Sequence, residues 1–215
     1  MMILLLGLTG IKVGANDLPY SIPIHPQLVH LTLGLVIIAI AFDIAGTLFP
    51  LGKPIFKFLA LPAIRSSFYE VGWYNLLAAA IVTFFTVAAG FFELMLAKPP
   101  INQISDWGLS ANLTMLFHGL GGILLLTTIC GMAVWRGFQH YRSRSVPSGV
   151  SHKDTSREVQ WSYLLVGIVL LGVLYIHGTL GAQLGDEFGI HNTAAHLLQQ
   201  GKNPNEVLTE KSTNR

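Results

Sequence analysis

Four long apolar runs set the pattern of the chain, at residues 26–49, 68–97, 111–135 and 161–185. Each is long enough to span a bilayer, since about 20 residues at a 1.5 Å rise cover the ~30 Å hydrocarbon core. No stretch reads convincingly as a strand. Short links between consecutive runs favour an up-down bundle. The fold class expected is therefore all-α integral membrane, with four transmembrane helices.

Local signals punctuate these runs. Pro26 suits a first helical turn, where its missing N–H costs nothing. Ser67-Phe68-Tyr69-Glu70 has capping-box spacing. Pro99-Pro100 forbids continuation of the second run. Residues 1–25 read as an N-terminal interfacial arm, 26–185 as the membrane domain and 186–215 as a polar tail. Residues 1–9 are apolar but too short to span and have no basic flank, so they read as a retained interfacial segment. In the tail, Asn192 caps a predicted helix over 193–200, closed by Gly201, and Asn203-Pro204 is a further helix start. Residues 55–63 of the first link read as an interfacial segment, and Trp107 as an interface anchor.

Composition agrees. Only 11% of the 215 residues are charged, against about 25% in a soluble domain. A net charge of +2 gives no argument for nucleic acid. The single cysteine, Cys130, excludes an intramolecular disulfide and reads as a packing residue. The link between the first two runs carries Lys53, Lys57 and Arg65. The link between the last two carries Arg136, Arg142, Arg144, Lys153 and Arg157. The positive-inside rule puts both links in the cytoplasm and both termini on the periplasmic or lumenal side.

The candidate chemistry lies in the histidines. His140 and His152 fall in a polar link and read as solvated. His191 and His196 fall in the tail and read the same way. His30, His118 and His177 lie inside apolar runs, roughly 3, 8 and 10 Å from the outer helix ends at 1.5 Å per residue. Each has a glycine four residues on, on the same helix face: Gly34, Gly122 and Gly181. Those glycines leave room for a flat macrocycle. The bland account is that glycine favours close packing of membrane helices.

Neutral imidazoles in a bundle core suit haem b. No C-x-x-C-H segment exists for covalent attachment. A zinc site would usually add a carboxylate or cysteine, for which Glu93 is the outer candidate. Helices one and three are diagonal in a square bundle, giving His30 and His118. Helices three and four are neighbours, giving His118 and His177. Two of these three are the expected axial ligands, with His118 in both pairs. His25 is about 140° from His30 around the helix and reads as a cap at the aqueous entrance. Asp43 is expected to pair with Arg65, Lys57 or Arg136, and Glu93 with Lys98.

The segment Ile24-His25-Pro26-x-x-Val29-His30, followed by an apolar helix with Asp43, resembles a family catalogued as Domain of Unknown Function 2231. The likeness extends through Gly90, His118 and Leu180-Gly181-Ala182-x-Leu184 to Gly189-Ile190. That family looks like four-helix membrane domains of bacteria, some joined to redox modules such as Rieske domains. The resemblance implies a link to electron transfer. Thr32 stands where relatives often have proline. Glu187-Phe188-Gly189 stands where they often have a Tyr-x-His-Gly-like segment, which makes His177 this chain's own addition.

The expected function is a b-type cytochrome-like subunit, an electron-transfer or accessory component rather than a catalyst. It would carry one haem among other subunits of a respiratory or photosynthetic complex, in a bacterial inner or thylakoid membrane. The alternative is a structural or assembly subunit without cofactor, its histidines satisfying interhelical hydrogen bonds. A third class uses Asp43 and Glu93 in a quinone site or proton path. No Ser-His-Asp or nucleophile-elbow pattern supports a hydrolase.

Overall fold

The computed structural model describes residues 14, 16–58, 64–144, 159–199 and 201–204. The expected segments at residues 1–9 and 59–63, His152, Lys153 and Arg157, the side chain of His196, and any tail helix beyond 204 lie outside the described residues. Among the described residues the helices are α1 (Ile24–Thr47), α2 (Phe49–Phe58), α3 (Arg65–Leu96), α4 (Ala111–Arg144), α5 (Trp161–Asp186) and α6 (Thr193–Gln199). There is no strand among them, only an isolated antiparallel bridge between Ile104 and Ser110. Helices α1, α3, α4 and α5 are long and apolar enough to cross a membrane. Their exposed side chains include Ile81, Phe84 and Phe85 on α3 and Leu165, Ile168 and Val169 on α5, which suits contact with lipid.

Helix ends differ from the sequence expectation for local reasons. Helix α1 begins two residues before Pro26, which still lies among the first four N–H positions that have no intrahelical partner. Helix α3 begins at Arg65, and the Ser67 amide already donates to the Ile64 carbonyl. Ser67 is thus inside the first turn and caps nothing. Helix α4 continues to Arg144, nine residues past the apolar run. Residues 138–144 hold no glycine or proline, and arginine and glutamine are good helix formers. Hydropathy marks where a bilayer ends, not where a helix does.

The chain divides into two compact units, each taking a segment of all four long helices. One comprises Leu28–Thr86 and Ile123–Tyr175. Its core gathers Val36, Ile40, Leu76, Ile129, Tyr163 and Leu170 with smaller neighbours. Small residues set its close approaches: a Cβ on Gly46 would lie 2.7 Å from the Tyr69 ring, and one on Gly167 2.6 Å from Ile40. Without a hydrophobic driving force between helices in lipid, such packing and buried polar contacts hold the unit. Asp43 and Arg136, both wholly buried, form an ion pair at 3.3 Å. The guanidinium also donates to the Tyr69 carbonyl at 3.1 Å, and Gly72 leaves room for the Asp43 carboxylate. Of the three cations the sequence offered Asp43, Arg136 is its partner. Arg65 instead donates to the Gly46 carbonyl and the Tyr69 hydroxyl. His140, expected to be solvated, stacks on Trp73 with ring centroids 5.8 Å apart, because α4 carries it on in helical register.

The other unit comprises Met1–Gln27, Val87–Gly122 and Ile176–Arg215. Ala111, Leu184 and Phe188 form its buried apolar cluster, with Met115 and Ile190 packed against it. The arm before α1 is built on Asn16, whose side-chain amide donates to the Tyr20 and Ser21 carbonyls while Leu18 N donates to its oxygen. Helix α5 ends in a reversal: Phe188 N donates to the Gln183 carbonyl and Ile190 N to that of Leu184. Gly189, at φ 67°, supplies the left-handed conformation this turn needs. The Asn192 side chain accepts from Ala194 N to open α6, and Gly201, at φ 71°, closes it. Lys98, expected to pair with Glu93, pairs instead with Asp17 at 2.7 Å on the surface, a contact worth little.

Candidate functional site

Three of the histidines meet in this second unit. Helix α1 supplies His25, α4 supplies His118 and α5 supplies His177. His25 Nε2 and His118 Nε2 face each other at 3.5 Å, with the rings nearly perpendicular at 83°. His177 lies flat on the opposite pattern: its ring is parallel to that of His118 within 7°, centroids 4.2 Å apart. The Nδ1 atoms of His118 and His177 are buried without a hydrogen-bond partner.

Each ring sits against a glycine of a neighbouring helix. A Cβ on Gly90 of α3 would lie 2.8 Å from His25 Cε1 and Nδ1. One on Gly181 of α5 would lie 2.9 Å from His118 Cε1, and one on Gly121 of α4 2.6 Å from His177 Nδ1. Any side chain at these positions would collide with an imidazole, so the rings occupy the space that glycine leaves. The sequence reading had each glycine make room beside the histidine of its own helix. Gly181 acts across helices, towards His118. Gly122 reaches only ordinary contact with His177, at 3.9 Å, and nothing lies within 4 Å of a Cβ on Gly34.

The expected place of His30 changes with that of His25. His30 is exposed and belongs to the other unit, while His25 turns to His118 instead of capping an aqueous entrance. His118 and His177, the better match in depth, are brought together, whereas His25 was not expected at His118 because the helix ends are not level. His118 is seven residues past the start of α4 and His25 one past the start of α1. Helix α4 therefore starts about 9 Å further out at 1.5 Å per residue.

The start of α1 is fixed by Glu93. This residue of α3 is only 4% exposed. Its Oε1 accepts hydrogen bonds from Ile24 N at 2.8 Å, His25 N at 3.0 Å and the Tyr20 hydroxyl at 3.0 Å. Burial, then the hydrogen bond to Glu93 and its charge, push the Tyr20 hydroxyl up to about 12 from 10.0. The Glu93 carbonyl faces His191 Nε2 at 2.8 Å, and His191 Nδ1 faces the Asn16 carbonyl at 3.0 Å. Which of the two ring nitrogens donates depends on the tautomer. His191, expected to be solvated, thus ties the tail to the arm and to α3. The turn at Gly189 brings it there, and its own φ of 55° completes the reversal.

Sequence reasoning missed the roles of Gly90, Gly121, His191, His25 and Glu93. One signal was present. Helix α1 opens without an acidic residue in its first turn, so its orphan amides called for an acceptor from elsewhere in the chain. Glu93 is the acid inside a neighbouring apolar run.

Among the described residues no group of three or more His, Cys, Asp and Glu side chains is arranged to hold a metal ion. The opposed His25–His118 pair offers two ligands on one axis and no more. A family model described as "Predicted membrane protein (DUF2231)" matches residues 21–194. No curated protein and no solved structure matches.

Proposed function

The chain belongs to the DUF2231 family of predicted membrane proteins, a multi-pass protein of the lipid bilayer, and on that premise we propose that it is an electron-transfer subunit in which His25 and His118 are the axial ligands of a b-type haem. The observation that carries this reading is the pair of Nε2 atoms facing each other at 3.5 Å. Bound between them, a haem iron would take one imidazole nitrogen from each of the two helices.

The donor set fits the group. A bare metal ion wants further protein ligands, and among the described residues none converge here. A porphyrin brings its own four equatorial nitrogens and asks the protein for two axial imidazoles and an apolar surround. His25 and His118 would hold it from two helices. His177, flat against His118, restrains that ring. Gly90 and Gly181 let the two ligand helices' neighbours approach without displacing the imidazoles. When bound, the haem would supply one-electron exchange at a half-buried site among the helices. Other subunits of a respiratory or photosynthetic complex, in a bacterial inner or thylakoid membrane, are the donors and acceptors this reading calls for.

A specific observation favours a second reading. At 3.5 Å the two Nε2 atoms are also within reach of a long hydrogen bond, so the histidines satisfy one another in a cofactor-free structural subunit. The reduced-minus-oxidised spectrum of the protein purified from its membrane decides. A sharp low-spin α-band, lost in His25→Ala and in His118→Ala, is expected. A folded, colourless protein from haem-replete cells overturns the haem reading and leaves the structural one.

A further inference from the structure

The first turn of α1 has no local cap. Residues 21–23 read Ser-Ile-Pro, and no acid follows in the first turn. The amides of Ile24 and His25 are two of the donors that a helix start leaves unpaired. Glu93, 68 residues away from His25, takes both on one carboxylate oxygen. Three residues before it on the same face of α3, Gly90 leaves the space that the His25 ring fills.

We infer that Glu93 is the positioning residue of His25, with Gly90 completing the seat. The carboxylate holds the His25 backbone nitrogen itself. That fixes the direction of the Cα–Cβ bond, and with it the approach of the ring to His118. The negative charge also lies at the N-terminus of α1, where the helix dipole favours it. The inference rests on reading His25 and His118 as a functional pair, but its test does not need the haem. Glu93 touches neither His118 nor the space between the two Nε2 atoms, and acts through His25.

The full chain, with 15N- and 13C-labelled histidine and 15N-labelled isoleucine, is studied in detergent micelles without haem. The wild type is expected to give a ring-to-ring cross-peak between His25 and His118 and protected amides at Ile24 and His25. Glu93→Leu is expected to lose the cross-peak and to lower amide protection by about tenfold or more, the scale of one hydrogen bond to a charged acceptor. Glu93→Gln keeps an acceptor oxygen of the same reach and is expected to restore both signals. Should Glu93→Leu not fold, Glu93→Asp tests the same point, since a carboxylate one methylene shorter no longer reaches both amides. A folded Glu93→Leu or Glu93→Asp protein with the cross-peak and protection intact overturns the inference.

Haemin added to the same samples separates this inference from the haem reading. Low-spin binding by the wild type with high-spin binding by Glu93→Leu supports both. In Glu93→Gln the low-spin signature is expected to remain while the midpoint potential rises, because a negative charge near the iron is gone. A wild type that binds no haem overturns the haem reading alone, and the cross-peak and exchange data still decide the role of Glu93.

Discussion

His25 and His118, 93 residues apart in sequence, point their Nε2 atoms at each other across 3.5 Å. His177 meets the same His118 ring face to face. The two contacts make different predictions. His177→Phe keeps a flat ring on His118 and is expected to retain a two-histidine low-spin spectrum. His25→Ala is expected to abolish it. Spectra of the two purified variants check this, and loss of the band in His177→Phe would make His177 a ligand.

The glycines at the rings are expected to be intolerant in a selective way. Alanine at Gly90, Gly121 or Gly181 places a Cβ within 2.6–2.9 Å of an imidazole. Overpacking of this kind costs about 1–3 kcal/mol. Alanine at Gly34 or Gly178, where nothing lies within 4 Å, is expected to leave stability unchanged or raise it by up to about 1 kcal/mol through helix propensity. Thermal unfolding in detergent measures the difference.

The Asp43–Arg136 pair has no exposure on either side chain. Asp43→Leu or Arg136→Met alone leaves one charge buried without its counter-ion and is expected to cost about 3–5 kcal/mol. The double replacement is expected to recover most of that loss, because the pair's desolvation cost disappears with it. Unfolding of the two single variants and the double variant closes the cycle.

Tyr20 gives a pH dependence with a definite sign. Its folded-state value is raised from 10.0 to about 12, so the folded chain holds the phenolic proton more tightly than the unfolded one. The stabilisation is fully present below pH 10 and is lost as the pH rises towards about 12. An ultraviolet tyrosinate titration is expected to show a late-titrating tyrosine that is lost in Tyr20→Phe and that moves down only part of the way in Glu93→Gln, because burial, the larger cause, remains.

His191→Phe removes both ring contacts, with the Asn16 and Glu93 carbonyls. Water reaches this partly buried position, so the expected loss is about 1 kcal/mol, the net value of an ordinary hydrogen bond. Faster proteolysis of the tail, with the membrane helices intact, is the readout.

Much of this architecture was legible from residue pattern. The four spans, the cap at Asn192 and the reversal at Gly201 are local matters of hydropathy, capping and glycine conformation. The Asp43–Arg136 pair was narrowed to three cations because an acid inside an apolar run must find a partner. The site was less legible. His118 stood out by its depth in an apolar run, and His177 was anticipated beside it, whereas His25 was not, because depth was counted from helix ends assumed to be level.

The order of apolar and polar residues by itself determined an all-helical chain with four long membrane-competent helices, because hydropathy and helix signals act over a few turns. It also placed histidines near one end of several helices. Only the tertiary structure decided that His25 rather than His30 faces His118, that the glycines serve rings on neighbouring helices, and that Glu93 caps a helix 68 residues away from its own place in the chain. Those relations depend on axial stagger and rotation between helices. Both are set by side-chain volume at contacts distant in sequence, which no local pattern encodes.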